Sequence, residues 1–270
     1  MTAGVYETTK KDGTPCFRAS FTYKGKHISL GSFPTKDGAH RAYLTATLLL
    51  RSPEGHLLSV NDYAAVGRPL SYEKWIILLN FRDNGIYFKT PIYLYRRYFV
   101  YYYNEETQLK FDAEDLFYYS NHKIMKRGGH FFVADYGMQV TLTSRYGIKS
   151  YAVEGRDFRF VNGDSTDFRY GNIELINRYF GVSRETKKGR TCYLAKIHIN
   201  GDYIIGRYPT EAEAATAYNR AADLLNAWGL KKNFPRNYVE GISGEDYQKL
   251  YADVAVSPKL KDAITASFSR

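Results

Sequence analysis

Apolar and polar residues alternate along two stretches near opposite ends of the chain. In YLAKIHI, residues Ala195, Ile197 and Ile199 fall on one side of a strand while Lys196 and His198 fall on the other, the period-2 pattern of a half-buried strand. FRASFTYKGKHISLGSFPTKDGAHRAYLTA (Phe17 to Ala46) and YLAKIHINGDYIIGRYPTEAEAATAYNRAA (Tyr193 to Ala222) share one order about 175 residues apart: strand, Gly turn, strand, Gly, aromatic-Pro-Thr, helix. Gly25 and Gly201 stand where each hairpin must turn. Thr35 and Thr210 are natural N-caps, and Glu213, three residues after Thr210, predicts a capping box. Ala214, Ala215, Ala217, Tyr218 and Ala221 make a small-residue stripe that lets the helix lie close to the sheet. The pattern predicts a three-stranded sheet backed by one helix at each end, and an α+β fold.

Between these units the periodicity is weaker. Arg51 to Gly85 reads as a connector, with turns at SPEG and VGRP and a helix in SYEKWIILLNF capped by Ser71. Ile86 to Phe180 is strand-rich and aromatic, and the stretch after Tyr238 reads as a polar helix or tail. The expected divisions are 1–50, 51–85, 86–180, 181–237 and 238–270.

Charge narrows the class of partner. With 38 Lys+Arg against 28 Asp+Glu, the net charge of +10 favours a polyanion. No apolar run approaches the ~18 residues of a membrane span, and MTAGVYETTKK has no hydrophobic signal core. The expectation is no membrane and the cytoplasm of a bacterial host cell. Cys16 and Cys192 sit at matching places in the two repeats and read as ordinary strand residues rather than a disulfide or zinc framework. The 26 tyrosines and 16 phenylalanines suit buried strands, with stacking on single-stranded nucleic acid as the competing use.

The stretch GVSRETKKGRTCYLAKIHINGDYIIGRYPTEAEAATAYNRAADLLNAWGLKKNFP, closing on Asn233, Phe234 and Pro235, resembles the Apetala-type DNA-binding domain of plant ethylene-response factors and of phage HNH endonucleases. The first copy, Val5 to about Leu50, keeps LGSFPT and AHRAY but lacks the NFP ending. The resemblance implies a sheet that enters the DNA major groove by the face away from its helix. On that face the expected contacts are Arg184, Lys187, Lys188, Arg190, Lys196 and His198, with Arg207 nearby, in the second copy. In the first they are Lys10, Lys11, Arg18, Ser20, Lys24, Lys26 and His27. The tryptophan that ethylene-response factors carry on the last strand corresponds to Ser29 and Ile204, so their sequence preference does not transfer.

The segment from LKFDAEDLFYYS to DFRYGNIELIN resembles a ββα-metal (HNH) core. Such a core needs a histidine base, a metal-ligand histidine and a positioning asparagine. LTSRYGI, FRFVNGD and DFRYGNI align with the family stretches that carry them, and place Ser144, Phe160 and Phe168 at those positions. Asn162, Gly163, Asp164, Asp167, Arg169 and Asn172 survive from the pattern. Phenylalanine can neither accept a proton nor bind a metal. The resemblance therefore implies a double-stranded DNA binder derived from a homing endonuclease, catalytically inert and without a cofactor, acting as a repressor-like regulator of phage or mobile-element origin. A homodimer is compatible with it. One alternative is an active nicking endonuclease using Asp164, His122 or His130, with Mg²⁺ on Asp164 and Asp167. Another is an RNA-binding protein or structural subunit of a phage or ribonucleoprotein particle, using Tyr93 to Tyr103.

Overall fold

At each end of the chain the alternating stretches fold as an antiparallel sheet closed by a helix, in an α+β computed structural model that describes residues 3–187 and 189–260. The chain forms two compact units, Met1–Leu142 with Asp164–Asn172, and Thr143–Gly163 with Ile173–Arg270.

In the first unit, β1 (Val5–Thr9), β2 (Pro15–Tyr23) and β3 (Lys26–Phe33) pair in that order and are backed by α1 (Lys36–Arg51). The Thr35 hydroxyl accepts from the Gly38 amide and opens α1. Ala39, Ala42, Ala46, Leu49 and Leu50 of α1 pack on Ala19, Phe21, Ile28 and Leu30 of the sheet. The segment read as a connector contributes to this core. Its α2 (Tyr72–Asn84), capped by Ser71, buries Trp75, Ile76, Leu78, Leu79 and Phe81 there, and Arg82 holds the preceding loop by donating to the Gly55 and Leu58 carbonyls. Two further sheets complete the unit: β4 (Ile92–Leu94), β5 (Tyr98–Tyr102) and β6 (Gln108–Asp112), then, after α3 (Leu116–Asn121), β7 (Ile124–Arg127), β8 (His130–Asp135) and β9 (Met138–Thr141).

In the second unit β10 (Phe158–Phe160) pairs with β11 (Ile173–Leu175), and β12 (Val182–Lys187), β13 (Arg190–His198) and β14 (Asp202–Tyr208) form a sheet backed by α4 (Glu211–Ala227). The Thr210 hydroxyl accepts from the Glu213 amide, one half of the expected capping box. The polar C-terminal stretch adds α5 (Gly244–Asp253), and Val254 and Leu260 join the core of Ala195, Ile197, Ile205 and the α4 alanines. Buried amides secure it. Asn219 of α4 donates to the Asn237 carbonyl and accepts from its amide, and the Asn237 side chain bonds both backbone groups of Phe180.

The repeat extends to backbone detail. Each central hairpin carries a bulge at the same place, between Ala19 and Ser20 and between Ala195 and Lys196, which leaves Leu30 and Ile205 as the extra residues, both buried. Each first strand is preceded by a glycine at positive φ, Gly4 at 69° and Gly181 at 72°, lying against Tyr43 and Tyr218 of the backing helix. Cys16 and Cys192 are free and occupy equivalent central-strand positions. Among the described residues no helix is long and apolar enough to cross a membrane.

Candidate nucleic-acid interface

Strand pairing sorts the expected contacts by face. In the second sheet Val182 pairs with Ala195, whose side chains belong to the core, so the next pair on that side is Arg184 with Tyr193. Arg184 therefore lies on the helix-backed face rather than the free one, because it stands an even number of residues from Val182. The opposite face carries Ser183, Glu185, Lys187, Arg190, Cys192, Leu194, Lys196 and His198, with Asp202, Ile204 and Arg207 of β14. The bulge at Ile205 makes this set possible, since the extra residue turns inward and leaves Ile204 and Arg207 both outward.

The cations of this face differ in how they are held. Arg207 donates to Glu185 at 3.1 Å, and because Glu185 and Arg207 lie on the two outer strands, the pair spans the central strand, where Leu194 is only 2 % exposed. His198 contacts Asp202 at 2.9 Å. Lys187, Arg190 and Lys196 have no acidic or hydrogen-bonding side-chain partner among the described residues. Ile204, opposite Lys196, is 45 % exposed. Lys188 lies outside the described residues.

Beside Lys196 and His198 the face continues into a cavity of about 280 Å³, bordered also by Tyr151, Arg156, Asp157 and Phe180. Burial pushes the Asp157 carboxyl up, but the Arg156 guanidinium, the Val153 amide and the Asn177 side chain outweigh it and bring it below its ordinary value of 3.8. A carboxyl lowered on folding contributes stability above its unfolded value and loses it as pH falls through the native one. Urea titrations of the full chain should therefore show stability falling below about pH 3.8, and Asp157→Asn should flatten that dependence.

The first sheet presents a different surface. Ala19 and Phe21 face the core, which places Arg18, Ser20 and Thr22 outward with Tyr6, His27, Ser29 and Ser32 opposite them. Arg18 is the only arginine or lysine in this set, and His27 Nδ1 lies 3.4 Å from the Thr22 hydroxyl. Lys26 pairs with Tyr23 on the helix side, its ammonium 5.2 Å from the Tyr87 ring, a correction of the same parity kind as Arg184. Lys24 sits in the hairpin turn against Tyr23, and Lys10 and Lys11 are exposed in the turn between β1 and β2. One sheet is cationic; the other is mainly hydroxylated.

The residues matched to nuclease positions divide between the units: Ser144, Phe160 and Asn162 fall in the second, and Asp164, Asp167, Phe168 and Asn172 in the first. Phe160 and Phe168 are buried, the latter stacked on Phe111 at 5.5 Å, while Ser144 is exposed in a 3-10 turn. Asp164 to Asp167 form a tight turn, closed by the Asp167 amide donating to the Asp164 carbonyl at 3.1 Å. Asp164 accepts from the Thr166 amide and hydroxyl and from the Lys110 ammonium at 3.1 Å, and the Thr166 hydroxyl, ahead of the other partners, holds its carboxyl below the ordinary range. Asp167 is fully buried and grips Arg169 through two bonds of 2.8 and 2.6 Å, while Asn172 donates to the carbonyls of Asp164 and Asp167. His122 stacks on Tyr118, with Nδ1 2.8 Å from the Tyr118 carbonyl and Nε2 3.6 Å from Asp135. His130 is exposed at a hairpin end opposite Arg127.

Sequence reasoning missed the Glu185–Arg207 bridge and the cavity beside Lys196, both of which depend on the register of three strands. Comparison of the chain with protein-family models, with curated proteins and with solved structures finds no match.

Proposed function

We propose that this protein binds double-stranded DNA sequence-specifically through the free face of β12–β14 and does not cleave it, as a regulator built from a phage-type HNH homing endonuclease with Apetala-type units. The observation that carries the reading is the run of Lys187, Arg190 and Lys196 on one sheet face without acidic partners, beside the bridged Arg207. Arg190 suits bidentate reading of guanine, and the lysines suit phosphate. Ile204, exposed on the same face, can meet a thymine methyl. The first sheet, with Arg18 among hydroxyls, is suited to an auxiliary backbone contact.

The absence of cleavage is supported by chemistry. Phe160 and Phe168, which the sequence resemblance aligns with the histidine and asparagine of such a nuclease, are buried, and the carboxylates of Asp164 and Asp167 are engaged by Lys110 and Arg169, so a metal ion would have to displace protein cations. Supercoiled plasmid incubated with the protein in Mg²⁺ or Mn²⁺ is expected to remain intact. Metal-dependent nicking that disappears in Asp164→Ala would overturn this part of the proposal.

A further inference from the structure

The turn between β4 and β5 carries Tyr95, Arg96, Arg97 and Tyr98. The Tyr95 amide donates to the Tyr98 carbonyl at 2.9 Å, which leaves Arg96 and Arg97 as an exposed two-residue tip. Neither guanidinium has an acidic or hydrogen-bonding partner among the described residues, and Asp83, near Tyr93, is already engaged by Arg82 and the Tyr93 hydroxyl. Beneath the tip the rings are ordered. Tyr95 stacks on Tyr98 with centroids 4.8 Å apart and an interplanar angle of 11°, and the Arg169 guanidinium lies 5.4 Å from the Tyr98 centroid. Arg169 is itself fixed by buried Asp167, and the Tyr95 hydroxyl shares a 3.2 Å hydrogen bond with that of buried Tyr102.

Tyr95 is thus held through its hydroxyl, stacked on Tyr98 and met by the tilted ring of Tyr93 at 5.2 Å, yet remains 41 % exposed. A ring fixed before binding loses little freedom when a base stacks on it. Only an unpaired or extruded base can offer its whole face to such a ring, and two free arginines beside it match the phosphates of a strand. We propose that this tip holds an unpaired nucleotide of a DNA strand, the base stacked on Tyr95 and the flanking phosphates on Arg96 and Arg97. The site adds single-strand binding to the duplex reading above and rests on different residues, so the two can fail separately.

The test uses the full chain with labelled oligothymidylate, followed by anisotropy, and the same oligonucleotide carrying 5-iododeoxyuridine for photocrosslinking. The expected crosslink is at Tyr95. Tyr95→Ala should weaken binding roughly tenfold or more, Tyr95→Trp should retain it, and Arg96→Ala with Arg97→Ala should weaken it and flatten its salt dependence. The arginines are exposed, so their replacement leaves the fold intact by circular dichroism. Substitution of Lys187, Arg190 and Lys196 should leave oligothymidylate binding in place. Absence of such binding, affinity unchanged in the Tyr95→Ala and arginine variants, or crosslinks confined to other residues would overturn the proposal.

Discussion

Exchanging Lys187, Arg190 and Lys196 together for glutamate is expected to weaken duplex DNA binding by roughly a hundredfold or more, since one bidentate base contact is worth about 1–3 kcal/mol and each phosphate contact adds its own electrostatic share. The three side chains project from the same sheet face, away from the core, so thermal stability should change little. The salt dependence is the sharper readout: each lost phosphate contact reduces the slope of log affinity against log salt by about 0.9. Glu185→Gln should act in the opposite direction, because it releases Arg207 from its bridge and adds a free guanidinium to the face. An unchanged slope in the triple variant would place the DNA contact elsewhere.

The second large effect concerns folding. Gly181→Ala would put a methyl 2.5 Å from the Lys196 carbonyl oxygen and 2.5 Å from the Tyr218 ring, at a φ of 72°. Left-handed backbone costs a residue with Cβ about 1–2 kcal/mol, and overpacking adds about 1–3 kcal/mol, so urea denaturation should register a loss of roughly 2–5 kcal/mol. The strand entry is also tied by the Lys196 amide donating to the Gly181 carbonyl at 2.7 Å, which holds Lys196, and with it the carbonyl that the methyl would meet, close to the glycine. Gly4→Ala meets Tyr43 and the Ser20 carbonyl in the same way and should destabilise the first unit comparably. Gly201→Ala, with open space around it, should stay within about 0.5 kcal/mol. Tolerance of alanine at Gly4 and Gly181 would mean that the two units do not share this close approach of strand and helix.

Alternation is enough to find both sheets and the inward set of Ala195 and Ile197, because a half-buried strand writes its faces into the sequence with period 2. It does not place Arg184 and Lys26, whose faces emerge only when the count starts from the residues paired with the core. The bulges at Leu30 and Ile205 are invisible for a related reason: one extra residue shifts the parity of everything beyond it, and no residue type announces it. Helix α2 is legible as a helix with its Ser71 cap, but a helix apolar on most sides has no single stripe to show where it packs. The C-terminal stretch looks like a tail because its attachment runs through single, widely spaced apolar residues, Val239, Val254 and Leu260, and through Arg220 donating to the Ala252 and Val254 carbonyls, which leave no periodic trace. Of the candidate site, the cationic residue types are readable. Which of them are held by acids is not, since Arg207 meets Glu185 across a strand and Asp164 meets Lys110 from a distant segment.

The most direct test is selection from randomised duplex DNA by the purified full chain, with the recovered DNA sequenced and its ends examined after incubation with Mg²⁺ or Mn²⁺, alongside the Lys187, Arg190 and Lys196 glutamate variant. Enrichment of one defined site by the unmodified protein, with intact strands and no enrichment by the variant, is the predicted result. A pool left without sequence preference, or cleavage at the enriched site, would contradict it.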